Sequence, residues 1–468
     1  MLVVLYGGGM MIPALVALYF DASHVTQFLE AGGIVMLCGY GMMRIGGGAP
    51  KQMGHRDGFL IVALAWLVLS LIGAVPFLTT GTVDSVVDAM FESASGLTTT
   101  GATVISGLDR LPHSILFWRS MQEWLGGMGI IVLAVAVMPL LGVGGMQLFK
   151  AETPGPVKDK LTARVTETAK LLWYLYLGLT MLCALAYWWA GMSGFDAINH
   201  AMCTVAIGGF STHDASFGYY QSPLLQMIAV FFMMLAGVNF TLHFSAALRG
   251  FSLRAYLADE EFRAYMLWIV TLVLLVSLMV WLPGKDSLAH VLFNVVSVAT
   301  TTGFAVSDYS FWPPGATVLL MTTMFIGGCA GSTGGGMKVV RILLLFRQGM
   351  REIKRLVHPH GVIHVKMGNQ RVTAEVTQAL WGFAVLFLVC YSVVAILLAF
   401  SGVDMVTAFS AAAACITNTG PGFGQVGPAD NYEGLPDMAK SVLIFGMILG
   451  RLEIYTFFVL LVPAFWRD

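Results

Sequence analysis

Charge is what this sequence has least of. Its 468 residues include 25 Lys or Arg and 26 Asp or Glu, or 11% of the chain, against the roughly one quarter usual in soluble domains. With 57% hydrophobic residues, such a chain is neither a soluble globular protein nor a disordered one. The 53 Gly follow no collagen period and are spread through apolar runs instead of linkers. A formal net charge of −1 supplies no field for a polyanion, and no basic stripe interleaved with aromatics lies outside the loops, so no nucleic-acid partner is expected. The six cysteines, Cys38, Cys183, Cys203, Cys329, Cys390 and Cys415, form no CxxC pair and sit in apolar segments, where they read as buried hydrophobic thiols. Catalytic constellations are missing too. The acids stand mostly at loop ends with no Ser/His/Asp or Cys/His grouping, so the chain is read as no enzyme, with no covalent or organic cofactor. His358, His360 and His364 lack a Cys or acid at ligand spacing and read as solvated.

What the sequence has is apolar length. A bilayer core takes about 20 apolar residues as helix, and on that ruler ten spans are expected: 2–20, 26–44, 57–78, 115–141, 169–191, 222–248, 264–283, 315–346, 376–400 and 438–464. The first is followed by a polar break and more spans, with no small-residue cleavage site, so it is a span and not a signal peptide. Four further apolar segments, 85–97, 194–207, 286–301 and 403–417, are too short to cross and are bounded by turn residues. They read as re-entrant pore helices. Twenty of the 25 basic residues fall in loops on one side, against Arg110, Lys285 and Lys440 on the other, which makes that side and both termini cytoplasmic. The opposite side carries Asp84, Asp88, Asp109, Asp196, Asp214, Asp286, Asp308, Asp404, Asp430, Glu433 and Asp437. These are either an acidic mouth that concentrates cations or ordinary solvated loops.

The segments after the short helices repeat. They read SGLTTTGAT (95–103), TVAIGGFST (204–212), SVATTTGFA (297–305) and ACITNTGPG (414–422), with aligned glycines Gly101, Gly209, Gly303 and Gly420. Each unit is a span, a short helix, a glycine turn and a span, entering from and returning to the cytoplasm, so the four repeats are parallel. Four copies about an axis normal to the bilayer make an all-α polytopic fold around one central pore. Potassium filters replace the ion's hydration shell with rings of backbone carbonyls, and backbone turned to an axis needs Gly where φ is positive or chains crowd.

These motifs resemble the Trk/Ktr/HKT superfamily of potassium transporters, most closely the bacterial TrkH/TrkG pore subunits. The likeness covers nearly the whole chain and rests on FESASGLTTTGAT, SVATTTGF and ITNTGPGFG. It implies a potassium-channel-like fold: two additional N-terminal helices (1–46), repeat 1 (57–145), repeat 2 (165–250), repeat 3 (262–346), a cytoplasmic linker (347–372) and repeat 4 (373–468). The resemblance puts the selectivity filter on Thr99, Thr100, Gly101 and Ala102, on Ile207, Gly208 and Gly209, on Thr301, Thr302, Gly303 and Phe304, and on Asn418, Thr419 and Gly420. Potassium would be held at Thr100, Gly101, Gly209, Thr302, Gly303, Thr419 and Gly420. In the family an all-glycine ring goes with potassium preference. The second loop departs from the pattern, with Ile207 and Gly208 where threonines are expected, and Asn418 interrupts the fourth threonine run.

The eighth span is interrupted by FIGGCAGSTGGGMK (325–338). So much Gly and Ser cannot face lipid as helix, because freed backbone groups find no partner there. The stretch lacks GxxxxGK[ST] and a preceding strand, which excludes a phosphate loop. A movable stopper beneath the filter fits, and the resemblance implies such a gate: Gly327, Gly328, Gly331, Ser332, Gly334, Gly335 and Gly336, with Arg451 from the last span as an electrostatic barrier facing the pore. Lys338 is expected to snorkel to the cytoplasmic surface. Arg119 and Glu123, four apart on one helix face, read as a local ion pair.

The expectation is therefore potassium uptake across a bacterial cytoplasmic membrane, in a lipid-embedded protein. The resemblance implies a homodimer with one pore per protomer, and a TrkA-type cytosolic nucleotide-binding regulatory subunit docking on basic loops such as 347–371. The rival reading is a secondary transporter coupling potassium to protons or sodium by alternating access; inverted repeats would favour it, and these are parallel.

Overall fold

A computed structural model describes residues 1–20, 23–48, 55–132, 158–248, 250, 252–368 and 370–467. The described residues are helical, with one two-stranded antiparallel hairpin among them, β1 (Lys366–Met367) and β2 (Gln370–Arg371). Helices α1 (Leu2–Gly9) and α2 (Met11–Phe20) run on as one apolar span, and α3 (Val25–Ile45) returns beside them. That pair closes on glycines: a methyl at Gly39 would stand 2.9 Å from the Val4 nitrogen, and one at Gly7 would stand 3.0 Å from the Gly32 carbonyl. Small residues let apolar helices approach at their backbones, where packing replaces the hydrophobic drive that lipid cannot supply.

Among the described residues six helices are long and apolar enough to cross a membrane, or up to eight if two bent pairs count as spans. The single crossings are 2–20, α3, residues 56–79 of α4 (His55–Thr79), 169–189 of α7 (Lys158–Trp189), α12 (Glu260–Met279) and α16 (Ala374–Phe400). The departures from ten have physical causes. The fourth expected span is α6 (His113–Val132), which holds Arg119, Gln122 and Glu123 on its buried face; its expected end at 141 lies outside the described residues. The sixth bends by 93° between α9 (Pro223–Ala236) and α10 (Phe240–Leu248). The tenth bends by 108° between α18 (Asp437–Arg451) and α19 (Tyr455–Leu461). The eighth splits into α14 (Pro314–Thr323) and α15 (Val339–Val357) around the glycine-rich stretch. Helix α15 runs on through the first eleven residues of the expected linker at 347–372. The short α11 (Leu253–Ala258) precedes α12.

The four short helices are α5 (Val86–Leu97), α8 (Gly194–Ala206), α13 (Leu288–Thr300) and α17 (Met405–Ile416). At 12 or 13 residues each, they reach about 18–20 Å at 1.5 Å per residue, short of a core about 30 Å thick. All four start alike. Ser85, Ser193, Ser287 and Asp404 cap them by accepting the backbone N–H of Val87, Asp196, His290 and Thr407, which satisfies a donor the first turn leaves orphaned.

The cysteine expectation needs one correction. Five are buried, but Cys38 is exposed, because α3 spends its buried face, including Ala31, Gly32, Val35 and Gly39, on neighbouring helices. His358, His360 and His364 are exposed, as expected.

Candidate cation site

The four short helices end in the same turn. Thr100, Gly208, Thr302 and Thr419 donate their N–H to Ser95, Cys203, Ser297 and Ala414, five residues back, at 2.8–2.9 Å, and each preceding residue donates three back. This is the Schellman geometry, whose left-handed residue is usually glycine. Here Thr99, Ile207, Thr301 and Asn418 occupy it, at φ of 53°, 55°, 65° and 54°. Non-glycine residues held there, above all the β-branched Thr99, Ile207 and Thr301, cost of order 1–3 kcal/mol each. The aligned glycines are thus not helix caps. They stand two residues beyond, left-handed again, at φ of 78°, 92°, 86° and 95° for Gly101, Gly209, Gly303 and Gly420.

Those glycines touch one another in a cycle. A methyl at Gly101 would overlap the Gly208 carbonyl, one at Gly209 that of Thr302, one at Gly303 that of Thr419, and one at Gly420 that of Thr100. All four line one cavity of about 70 Å³, with Ala102, Asp214 and Asp430 among the residues around it. Among the described residues no hydrogen bond reaches the carbonyl of Thr99, Thr100, Gly101, Ile207, Gly208, Gly209, Thr301, Thr302, Gly303, Asn418 or Thr419. The Gly420 carbonyl is the exception, accepting from the Tyr432 hydroxyl at 2.7 Å; interior carbonyls are normally paired, so the idle ones are acceptors kept for something else. Phe304, buried, follows the third glycine.

On the side opposite the cavity, the glycine-rich stretch between α14 and α15 lies across the ring. Gly335 donates its N–H to Thr301 Oγ1 at 2.7 Å, Gly336 donates to the Thr417 carbonyl at 2.9 Å, and the Thr333 hydroxyl donates to the Val205 carbonyl at 3.0 Å. Three of the four loop ends are thereby tied to it. Its own shape is fixed by Gly327 N–H on the Met337 carbonyl (3.0 Å), by Cys329 N–H on the Gly237 carbonyl freed by the α9–α10 bend (2.8 Å), and by Gly331 accepting from Phe240 N–H (3.1 Å). Buried Glu261 accepts from the N–H groups of Ala330 and Val340 at 2.7 and 3.1 Å. Sequence reasoning missed Glu261; in the first turn of α12 it looks like an ordinary helix-start acid.

The expected gate residues are therefore together: Gly327, Gly328, Gly331, Ser332, Gly334, Gly335 and Gly336 in this stretch, and Arg451 against it. Arg451 is 2% exposed and donates from Nη1 to the Thr333 carbonyl at 3.0 Å. Its Nε and Nη2 have no hydrogen-bond partner among the described residues. Glu453 is not its partner, being paired with Arg341. Lys338 corrects the snorkelling expectation: it is buried, and its ammonium turns back to the Gly334 carbonyl and, at 3.5 Å, the Ser332 hydroxyl.

A second correction concerns α6. Arg119 and Glu123 do not pair with each other. Arg119 binds Glu92 of α5 at 2.7 Å, donates to the Ser211 carbonyl at 2.9 Å and to Thr103 Oγ1 at 3.1 Å, and lies over the Phe210 ring. Glu123 accepts from Phe210 N–H. Both belong to the surroundings of the ring, which no sequence spacing within α6 reveals. The acids expected on the non-cytoplasmic side divide in the same way. Asp214 and Asp430 border the cavity, whereas Asp88 pairs with buried Lys440 at 2.6 Å, Asp286 with His290 at 2.8 Å, and Asp404 caps α17.

Beside the cavity His213 bonds Asp109 at 2.5 Å and stacks on Tyr219. Burial pushes the imidazole down, yet Asp196 and Asp109 outweigh it and raise its pKa, while His213 holds Asp109 below the usual carboxylate range. The stabilisation from the raised histidine is full below about pH 6.5 and lost as pH rises through its folded value; that from Asp109 is present above about pH 3.9 and lost on acidification through its lowered value. Thermal unfolding in detergent should accordingly lose stability from about pH 6.5 upward, and His213→Gln should flatten that slope. An unchanged slope in the variant would remove the pair from the account.

Apolar spans around a ring of carbonyls that no donor reaches among the described residues, with Asp214 and Asp430 beside it, are the features of a membrane cation-transport protein. The TrkH family model, described as cation transport protein, matches residues 31–467, and the chain belongs to that family. It is 48% identical over 475 residues to the Trk system potassium uptake protein TrkH of Escherichia coli K12, covering all of this chain and 98% of that one. With the Trk system potassium uptake protein TrkG of the same organism the identity is 39% over 473 residues, covering 100% and 97%. The crystal structure of the potassium transporter TrkH from Vibrio parahaemolyticus superposes with a TM-score of 0.92 at 47% identity, covering 100% and 97%.

Proposed function

We propose that this protein takes up potassium across the bacterial cytoplasmic membrane through a channel-like pore whose filter is the ring of Gly101, Gly209, Gly303 and Gly420. The observation that carries the reading is the ring itself: four left-handed glycines in cyclic contact, whose neighbouring carbonyls have no internal donor. Such carbonyls can replace the hydration shell of an alkali cation without a charged ligand that would hold it too tightly to leave. The relatives named as potassium uptake proteins support potassium as the ion. Thr100, Thr302 and Thr419 join the four glycines as ligands, and potassium is the only ligand the reading needs; no organic cofactor enters it. Stretch 327–336 with Arg451 is the gate, since it bonds loop ends 2, 3 and 4 from the side opposite the cavity.

The reading keeps ten crossings in four parallel repeats after two additional N-terminal helices, counting each broken or bent helix as one span, with both termini cytoplasmic by the distribution of basic residues. Membrane lipid covers exposed apolar side chains such as Trp188, Trp189, Leu185 and Phe400. We further propose a homodimer and a TrkA-type cytosolic nucleotide-binding subunit on the basic region 347–371.

The test is potassium and sodium flux into proteoliposomes holding this chain, for wild type and Gly303→Ser. The serine side chain would meet the Thr419 carbonyl, and the potassium-over-sodium ratio should fall by about tenfold, corresponding to about 1.4 kcal/mol. An unchanged ratio removes the filter from the ring, and flux that needs an opposing ion gradient moves the reading to a coupled carrier.

A further inference from the structure

Three of the four loops carry a hydroxyl brace and one does not. Thr98 meets Thr100, Thr300 meets Thr302 and Thr417 meets Thr419, Oγ1 to Oγ1 at 2.7–2.8 Å. The matching positions of the second loop are Ala206 and Gly208, which have no hydroxyl. Gly208 is not left-handed, so its backbone does not demand glycine. Space does: a methyl there would run into the carboxylate of Glu123. That carboxylate is fully buried, comes from α6, and accepts the Phe210 N–H through both oxygens, at 3.1 and 3.2 Å. Arg119, one turn earlier on the same helix, takes the carbonyl of Ser211 and is neutralised by Glu92 instead.

Building on the filter reading above, we propose that Glu123 is the positioning residue of the second loop and sets the potassium selectivity of that quarter of the ring. It fills the volume a threonine at 208 would occupy and fixes the N–H immediately after Gly209, doing for loop 2 what the threonine pair does for the other three. Arg119 and Glu123 together form a clamp from one helix face, holding a carbonyl and an N–H on adjoining residues, as the i, i+4 spacing allows. A buried carboxylate without a cation in bonding range costs free energy unless its hydrogen bonds are kept, so its position is tightly defined. The four-fold ring is thus symmetric in backbone while one sector is braced from outside the loop.

The experiment compares potassium and sodium flux in proteoliposomes, together with thermal unfolding in detergent, for wild type, Glu123→Gln, Glu123→Ala, Gly208→Thr and the double variant Glu123→Ala with Gly208→Thr. Glu123→Ala should lower the potassium-over-sodium ratio by about tenfold or more. Glu123→Gln keeps an acceptor for Phe210 N–H and should lie between it and wild type. Gly208→Thr alone should lose folded protein or selectivity, because threonine and carboxylate claim one space. The double variant should recover selectivity beyond either single change, which independent structural damage would not produce. Wild-type selectivity in Glu123→Ala, or a double variant no better than the worse single one, overturns the role of Glu123 and leaves the ring standing if Gly303→Ser still lowers selectivity. A selectivity indifferent to Gly303→Ser overturns the ring and this role with it.

Discussion

Gly209→Ala is expected to cut potassium uptake by roughly one to three orders of magnitude, while Gly81→Ala is expected to leave it intact. Both glycines are left-handed, at φ of 92° and 67°, so both substitutions incur about 1–2 kcal/mol for placing an L residue there. They differ in surroundings. Nothing lies within 4 Å of the methyl at 81, whereas that at 209 overlaps the Thr302 carbonyl. Displacing a buried carbonyl adds about 1–3 kcal/mol, and because Gly209, Gly303, Gly420 and Gly101 touch in turn, the shift passes round the ring. A total of about 2–5 kcal/mol corresponds to a loss of roughly 30- to 4,000-fold. Rubidium or potassium uptake into proteoliposomes, with folded yield monitored by thermal unfolding, separates the two. Wild-type uptake by Gly209→Ala would mean that the ring carbonyls do not carry the ion.

The ring was legible in the sequence because it is written four times. A left-handed glycine at fixed distance from a capped short helix is a local requirement, and local requirements leave local marks: Ser85, Ser193, Ser287 and Asp404 at the starts, and glycines at the turns. The non-helical backbone of stretch 325–338 was legible for a related reason, since its Gly and Ser cannot be lipid-facing helix. What stayed hidden were choices of partner. The i, i+4 spacing of Arg119 and Glu123 is equally compatible with a pair and with two separate contacts, and the outcome depended on Glu92 and Phe210, 27 and 87 residues away from them. Lys338 looked free to reach water, but its ammonium turns back to the Gly334 carbonyl of the glycine-rich stretch. Span counting could not see the two bends, because an apolar window reports length and not direction. Glu453 and Ile454, left-handed at 54° and 56° between α18 and α19, mark one of them only once the backbone is seen.

Arg451→Ala should open the pore. Among the described residues the buried side chain makes one hydrogen bond, to the Thr333 carbonyl of the glycine-rich stretch, and no acid pairs with it. A cation left there opposes an ion leaving the ring toward the cytoplasm, and its tether holds Thr333 where the hydroxyl also bonds the Val205 carbonyl. Alanine removes barrier and tether together, so potassium flux in the absence of any regulatory subunit should rise by about tenfold or more, equivalent to at least about 1.4 kcal/mol of barrier. Stability gives the opposite signature to that of an ordinary buried contact. An unpaired charge inside the membrane costs about 2.5–3.5 kcal/mol by insertion scales, so its removal should leave thermal unfolding unchanged or raise it, even with one hydrogen bond lost. Were Arg451 a structural anchor, the alanine variant would unfold earlier and its flux would not increase. Arg451→Lys separates charge from tether: a lysine keeps the barrier but lacks the planar guanidinium that reaches Thr333, so its flux should fall between wild type and alanine.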